Sequence, residues 1–286
     1  MSNVSLDRRD FVALTTAVGI GAAVSTACAA ETKVTEKDVV IKTRDGSCDA
    51  AFFYPAAGKH AAVIIWADIF GLRPAFRDMG KRLAAEGYAV LVPNPFYRTQ
   101  KAPLPFGPAN FNFQSDADRA KLPPLTGPLN AAGAAESDAQ AFVAWLDQQP
   151  QVDAGRKVGT QGYCMGGPLI MKTAAAVPNR VGAAASFHGG GLTTANPDSP
   201  HLLIPKMKAK LLIAIAQNDD AREPDSKTKL AAAADAAKVS ADIEVYKAQH
   251  GWCVPDFTGG PNPIYNPAEA ERAWTKLLAF YRTALA

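Results

Sequence analysis

The run Gly162-Tyr163-Cys164-Met165-Gly166-Gly167 constrains this chain more than any other segment. It follows a short apolar stretch that begins at Val158. It precedes another, Pro168 to Ala174, that predicts a helix. A strand turning sharply into a helix through G-x-C-x-G is the local context of a nucleophile elbow. The chemistry explains the residue types. The reactive side chain sits at a strained backbone position, and glycines on either side let strand and helix pass closely. A thiol held there is more nucleophilic than a hydroxyl once something takes its proton.

The rest of the chain reads as alternating strands and helices. Val39–Thr43 and Cys48–Tyr54 flank Asp45-Gly46, a turn dipeptide, and predict an antiparallel pair. Ala61–Ala67 is continuously apolar, as a strand buried on both faces must be. Further strands are predicted at Tyr88–Pro93, Lys157–Tyr163, Val181–Phe187, Leu211–Ala216 and Asp242–Tyr246. Helices are predicted near Phe76–Glu86, Ala134–Gln148, after Cys164, at Lys227–Lys238 and at Pro267–Ala284. This alternation means a mainly parallel sheet with helices on both faces, an α/β fold in one domain. Between Pro95 and Pro128 the period is lost. The aromatics Phe96, Tyr97, Phe106, Phe111 and Phe113 there suggest a pocket wall rather than a plain connector.

Composition narrows the partners. A formal charge of +3, with basic residues scattered, gives no basis for nucleic-acid binding, and 48% hydrophobic residues supply a sizeable core. Residues 1–30 read as an export signal and 31–286 as the folded domain. Asp7-Arg8-Arg9-Asp10-Phe11-Val12 resembles a twin-arginine motif, Val12–Val24 is a short apolar run, and Ala27-Cys28-Ala29 offers small residues for cleavage. The expected location is therefore periplasmic, and membrane association would require lipidation of Cys28. Without Cys28, the cysteines are Cys48, Cys164 and Cys253, an odd number in an oxidising compartment. A Cys48–Cys253 disulfide with Cys164 free is one arrangement that count permits. A monomer is expected, with no cofactor.

Acid and histidine follow the cysteine in the order this kind of fold requires, each after a strand. Leu211–Ala216 leads into Gln217-Asn218-Asp219-Asp220, and Asp242–Tyr246 into Lys247-Ala248-Gln249-His250-Gly251. Counting from the strand end favours Asp219 over Asp220 as partner of His250. His188, in Phe187-His188-Gly189-Gly190-Gly191, ends another strand on the same edge and is a candidate for lining the pocket or for a structural bond in its turn. No spacing of His, Cys and Asp suggests a metal site, and the glycine clusters do not form a dinucleotide or phosphate loop.

The Gly-Tyr-Cys-Met-Gly-Gly elbow, the turn Ala67-Asp68-Ile69-Phe70-Gly71 and the Asp-then-His order together resemble the dienelactone hydrolase (carboxymethylenebutenolidase) family, from about Val39 onward. The resemblance implies a single-domain α/β-hydrolase that cleaves a small ester or enol-lactone. It implies a Cys164-His250-Asp219 triad and an acyl-thiol intermediate. It places the oxyanion hole at the backbone N–H groups of Ile69 and Met165. Asp68 stands where the family usually carries a glutamate that helps deprotonate the resting thiol, one methylene shorter here. Archetypal members carry an arginine shortly after the catalytic histidine to bind the substrate carboxylate; His250-Gly251-Trp252-Cys253-Val254 has none there, while Arg98, beside Tyr97, resembles the family's other carboxylate-binding arginine and Trp252 offers an apolar wall instead. Two other classes compete: a non-catalytic small-molecule binder on a hydrolase fold, and thiol redox chemistry at Cys164 with peroxide.

Overall fold

The structure, a computed structural model, describes residues 32–257 and 263–286; the export segment read at residues 1–30 lies outside the described residues. Eight strands form one sheet: β1 (Val34–Thr43), β2 (Gly46–Pro55), β3 (Ala62–Trp66), β4 (Ala89–Pro93), β5 (Val158–Tyr163), β6 (Val181–Phe187), β7 (Lys210–Ala216) and β8 (Ala241–Tyr246). Their order across the sheet is β1-β2-β4-β3-β5-β6-β7-β8. β2 pairs antiparallel with both β1 and β4, and every other pairing is parallel.

The helices are α1 (Pro74–Ala85), α2 (Asp116–Arg119), α3 (Pro123–Asn130), α4 (Ala134–Asp147), α5 (Gly166–Ala176), α6 (Gln217–Arg222), α7 (Ser226–Ala237) and α8 (Pro267–Ala284), with a 3-10 turn at Pro200–Lys206. The two-residue period of each strand divides the core between the faces. Val63 and Ile65 of β3 pack with Phe76 and Leu83 of α1 and Leu277 and Tyr281 of α8. Ile64 and Trp66 pack on the opposite face with Phe142 of α4 and Ile170 of α5. That is why Ala61–Ala67 is apolar throughout.

β3 is the pivot of the topology. β4 lies on one side of it and β5 on the other, so the crossovers diverge at this point. Divergence opens a crevice beyond the carboxyl ends of the strands, where ligands bind in open α/β sheets. The Asp68 turn leaves the end of β3, and Cys164 leaves the end of β5.

Three local expectations are revised. The first hairpin turns at Arg44-Asp45, with Thr43 facing Gly46, rather than at Asp45-Gly46. β1 starts at Val34, because register with Pro55 through Cys48 carries its polar residues along as an edge strand. The segment after β7 is helical where no helix is predicted: Ala216 is extended, and Asp219 and Asp220 occupy the first turn of α6, where acidic residues favour the helix dipole.

Candidate active site

The elbow begins with close packing. A Cβ on Gly162 would lie 2.1 Å from the Gly166 carbonyl oxygen, and one on Gly166 would lie 2.4 Å from that of Trp66. Only glycine allows β5, α5 and β3 this approach. Between them Cys164 adopts φ +52°, the left-handed region that costs a non-glycine residue. Its N–H donates to the Phe187 carbonyl at 3.1 Å and to His188 Nδ1 at 3.1 Å. The first amide free beyond it is that of Met165. Among the described residues, neither the Met165 N–H nor the Ile69 N–H donates to a protein acceptor, and both residues line the pocket above Cys164.

His250 and Asp219 converge on the same edge from two strands. β7 delivers Asp219 on the first turn of α6, and β8 runs into the turn that carries His250. His250 Nδ1 lies 2.7 Å from Asp219 Oδ2, and the His250 N–H donates to Asn218 Oδ1 at 2.8 Å. Asp219 Oδ1 accepts from Arg222 Nη2 at 2.6 Å, whereas Asp220 pairs with Lys227. Burial works against the imidazolium, yet the Asp219 hydrogen bond, followed by the hydrogen bond and charge of Cys164, outweighs it and raises the His250 pKa to about 10. An imidazolium held by a carboxylate in the pocket that a cysteine lines is the kind of surroundings that favour a reactive thiol.

His188 is buried, at φ +40°, and lines the pocket. Because its Nδ1 accepts from the Cys164 amide, the ring proton sits on Nε2, which has no partner. Burial, then the neighbouring His250 charge, pushes its pKa well below the ordinary histidine value, so the ring is neutral. The His250 ring lies 4.8 Å from it, edge to face.

Four expected roles do not survive the geometry. Asp68 is fully buried, but both its oxygens are held by Arg73, at 2.6 and 2.9 Å, and one also accepts from the Phe70 N–H. Its pKa is raised by burial, with Arg73 opposing, and no hydrogen bond links it to Cys164. Asp68 therefore shapes the Ile69 turn instead of serving the thiol as base. Arg98 is tied to Asp138 and Asp45, and the Tyr97 hydroxyl sits between Thr43 and Asp138; neither residue lines the pocket. Their charges and hydroxyl satisfy a network beneath the first hairpin. Trp252 is 0% exposed, stacked on Tyr246 at 5.1 Å and edge-on to His188 at 5.2 Å, so it backs the histidine rather than walling a substrate.

The cysteine pairing is also revised: Cys48 and Cys253 are both buried free thiols. Sequence reading missed Arg73, whose other face holds Asp256 at 2.6 and 2.9 Å, and Asn218, which fixes the His250 backbone. Arg73, five residues past Asp68, had a weak signal as a cation on the same turn. Asn218 had none. Of the aromatic excursion, Phe113 reaches the pocket, Phe106 and Phe111 pack on Phe70, and Phe96 is buried in the core. Among the described residues no group of His, Cys, Asp and Glu is arranged to hold a metal ion.

Crevice, elbow and strand-end histidine define an α/β-hydrolase. Sequence comparison carries the assignment further: residues 48–285 match the dienelactone hydrolase family, and the chain belongs to it. It is thus an ester- or lactone-cleaving hydrolase by family. A Synechocystis sp. protein provisionally named a carboxymethylenebutenolidase is 28% identical over 236 residues, covering 80% of this chain and 89% of its own. The carboxymethylenebutenolidase of Rhodococcus opacus is 32% identical over 126 residues, 44% of this chain and 43% of its own. A crystal structure from Klebsiella pneumoniae, provisionally named a dienelactone hydrolase, shares the fold with a TM-score of 0.73 at 23% identity, covering 87% of this chain and 99% of its own.

Proposed function

We propose that the protein hydrolyses a small ester or lactone through an acyl-thiol intermediate on Cys164. The observation that carries this reading is His250, held by Asp219 at 2.7 Å and lining the same pocket as Cys164. Cys164 attacks the carbonyl as a thiolate, and the oxyanion forms against the Ile69 and Met165 N–H groups. His250 gives its proton to the departing alkoxide, so the C–O bond breaks and a thioester remains. It then takes a proton from water, whose oxygen attacks the thioester; the C–S bond breaks, releasing the acid and restoring the Cys164 thiolate beside the His250 imidazolium. Asp219 holds the ring's orientation and balances its charge. Asp68 takes no proton in this scheme.

Export by a twin-arginine route belongs to the same proposal and rests on residues 7–12 and the segment behind them. The binding and redox alternatives have less support: the His250 contacts serve chemistry that a binder does not need, and Cys164 has no disulfide partner among the described residues.

The test is turnover of p-nitrophenyl acetate by wild type and Cys164→Ala. Loss of at least about a thousandfold in kcat/KM is expected, with the circular dichroism spectrum unchanged. Retained hydrolysis would sink the nucleophile assignment.

A further inference from the structure

The pocket over Cys164 is about 690 Å³, a volume suited to a small organic molecule rather than a polymer chain. Its walls are of two kinds. Phe70, Phe113 and Phe257 form an aromatic wall, with Phe70 lying 5.9 Å from Phe113 and 6.1 Å from Phe257, centroid to centroid. Leu192, Ile215 and Leu230, from three other elements, supply an aliphatic wall.

Charge in the pocket runs against an anion. Among the described residues, Arg222 is the only Lys or Arg that lines it. Its side chain is 67% exposed and already donates to Asp219 Oδ1. A solvated, paired guanidinium of this kind adds little to the binding of a second carboxylate. Asp219 is shared between Arg222 and the His250 imidazolium, so those three charges are committed to one another, and Glu223 faces the same space with no ion-pair partner among the described residues. Arg98 is committed elsewhere, to Asp138 and Asp45. Residues 258–262, next in sequence to this wall, contain no charged side chain.

From the apolar walls and the lack of an uncommitted cation, we infer that the substrate is a neutral ester or lactone with an apolar acyl or aryl group, not a carboxylated lactone. This inference rests on the hydrolase reading of Cys164. It sets the specificity of that site through burial of hydrocarbon rather than pairing of charge.

The experiment compares purified wild type and Cys164→Ala on p-nitrophenyl acetate, butyrate and hexanoate, and on mono-p-nitrophenyl adipate, which matches hexanoate in chain length but ends in a carboxylate. Cys164-dependent kcat/KM is expected to rise about threefold to fourfold per added methylene, the factor that burial of one CH₂ supplies. The adipate ester is expected to fall at least about tenfold below hexanoate, since desolvating an unpaired carboxylate is costly. Phe113 is half-exposed, so Phe113→Ala keeps the fold; it should lower the hexanoate-to-acetate ratio. Arg222→Gln should leave the adipate-to-hexanoate ratio where it stands. A flat series, an adipate ester turned over as well as hexanoate, or an adipate ratio that collapses in Arg222→Gln would overturn the inference while leaving the hydrolase reading intact. Absence of Cys164-dependent turnover on every ester would instead sink the hydrolase reading, and the inference with it.

Discussion

At the scale of single residues, two histidines about 5 Å apart carry opposite electrostatics for one reason. His250 has two anionic or polarisable partners, and His188 has only a backbone N–H and a charged neighbour. Their linkage to stability therefore has opposite sign. His250, raised to about 10, contributes stability that is whole below the ordinary histidine value of about 6.5 and lost as pH rises through about 10. Asp219→Asn should thus cost melting temperature at about pH 6, and the gap from wild type should close above about pH 10. A gap constant across that range would refute the pairing. His188 is depressed, so its contribution is present above about pH 6.5 and fades as pH falls and the unfolded chain takes up the proton. His188→Asn keeps an acceptor near the position of Nδ1 and a residue type that tolerates positive φ, so it should stay within about 1 kcal/mol of wild type and flatten the acid-side loss. His188→Leu lacks both properties and should lose about 1–3 kcal/mol in urea unfolding.

Among elements, the joint that matters most is Arg73. It stands at the N-terminus of α1 and grips Asp68 from the β3 turn with one side and Asp256 from the loop after His250 with the other. The strand ends that carry Ile69 and His250 are thereby tied through one guanidinium. The two grips differ in environment. Asp68 is 1% exposed and Asp256 34%, so only the first becomes a stranded buried charge when its partner goes. Arg73→Met is expected to cost about 3–5 kcal/mol and Asp256→Asn less than about 1 kcal/mol, measured by urea denaturation. Adding Asp68→Asn to Arg73→Met should restore part of the loss, since it removes the uncompensated charge. Equal costs for the two single variants would show that the Asp68 pair is not the one that holds the turn.

For the whole molecule, topology places the chemistry. The divergence of crossovers around β3 brings Ile69, Cys164, Asp219 and His250 to one edge from four separate stretches of chain. If residues 8 and 9 direct export, Arg8→Lys with Arg9→Lys should leave the protein in the cytoplasm, as read by cell fractionation of a bacterial host. An unchanged periplasmic fraction would remove the twin-arginine route. In the same fractions, intact mass at Cys28 distinguishes a cleaved protein from a lipidated one.

Much of this was written locally. Strand and helix periods follow from side-chain volume and polarity at spacings of two and about 3.6 residues, so the α/β order was legible from Val39 to the C-terminal helix. The elbow was legible because G-x-C-x-G answers a steric demand made within a few residues. The order Cys164, Asp219 or Asp220, His250 followed from strand ends, and the choice between the two acids came with the His250 contact. What the chain order could not carry was the partner of each charge. Arg98, Asp68 and Trp252 were given roles from their place beside a motif, yet Asp138, Arg73 and Tyr246, all distant or on another face, claimed them. Ion pairs and aromatic stacking depend on separations of a few ångströms across elements far apart in sequence, and only the tertiary packing sets those separations. The sequence by itself determined which side chain stands at the elbow; the tertiary structure decided which carboxylates are spent on structure, and so which charges the pocket has left.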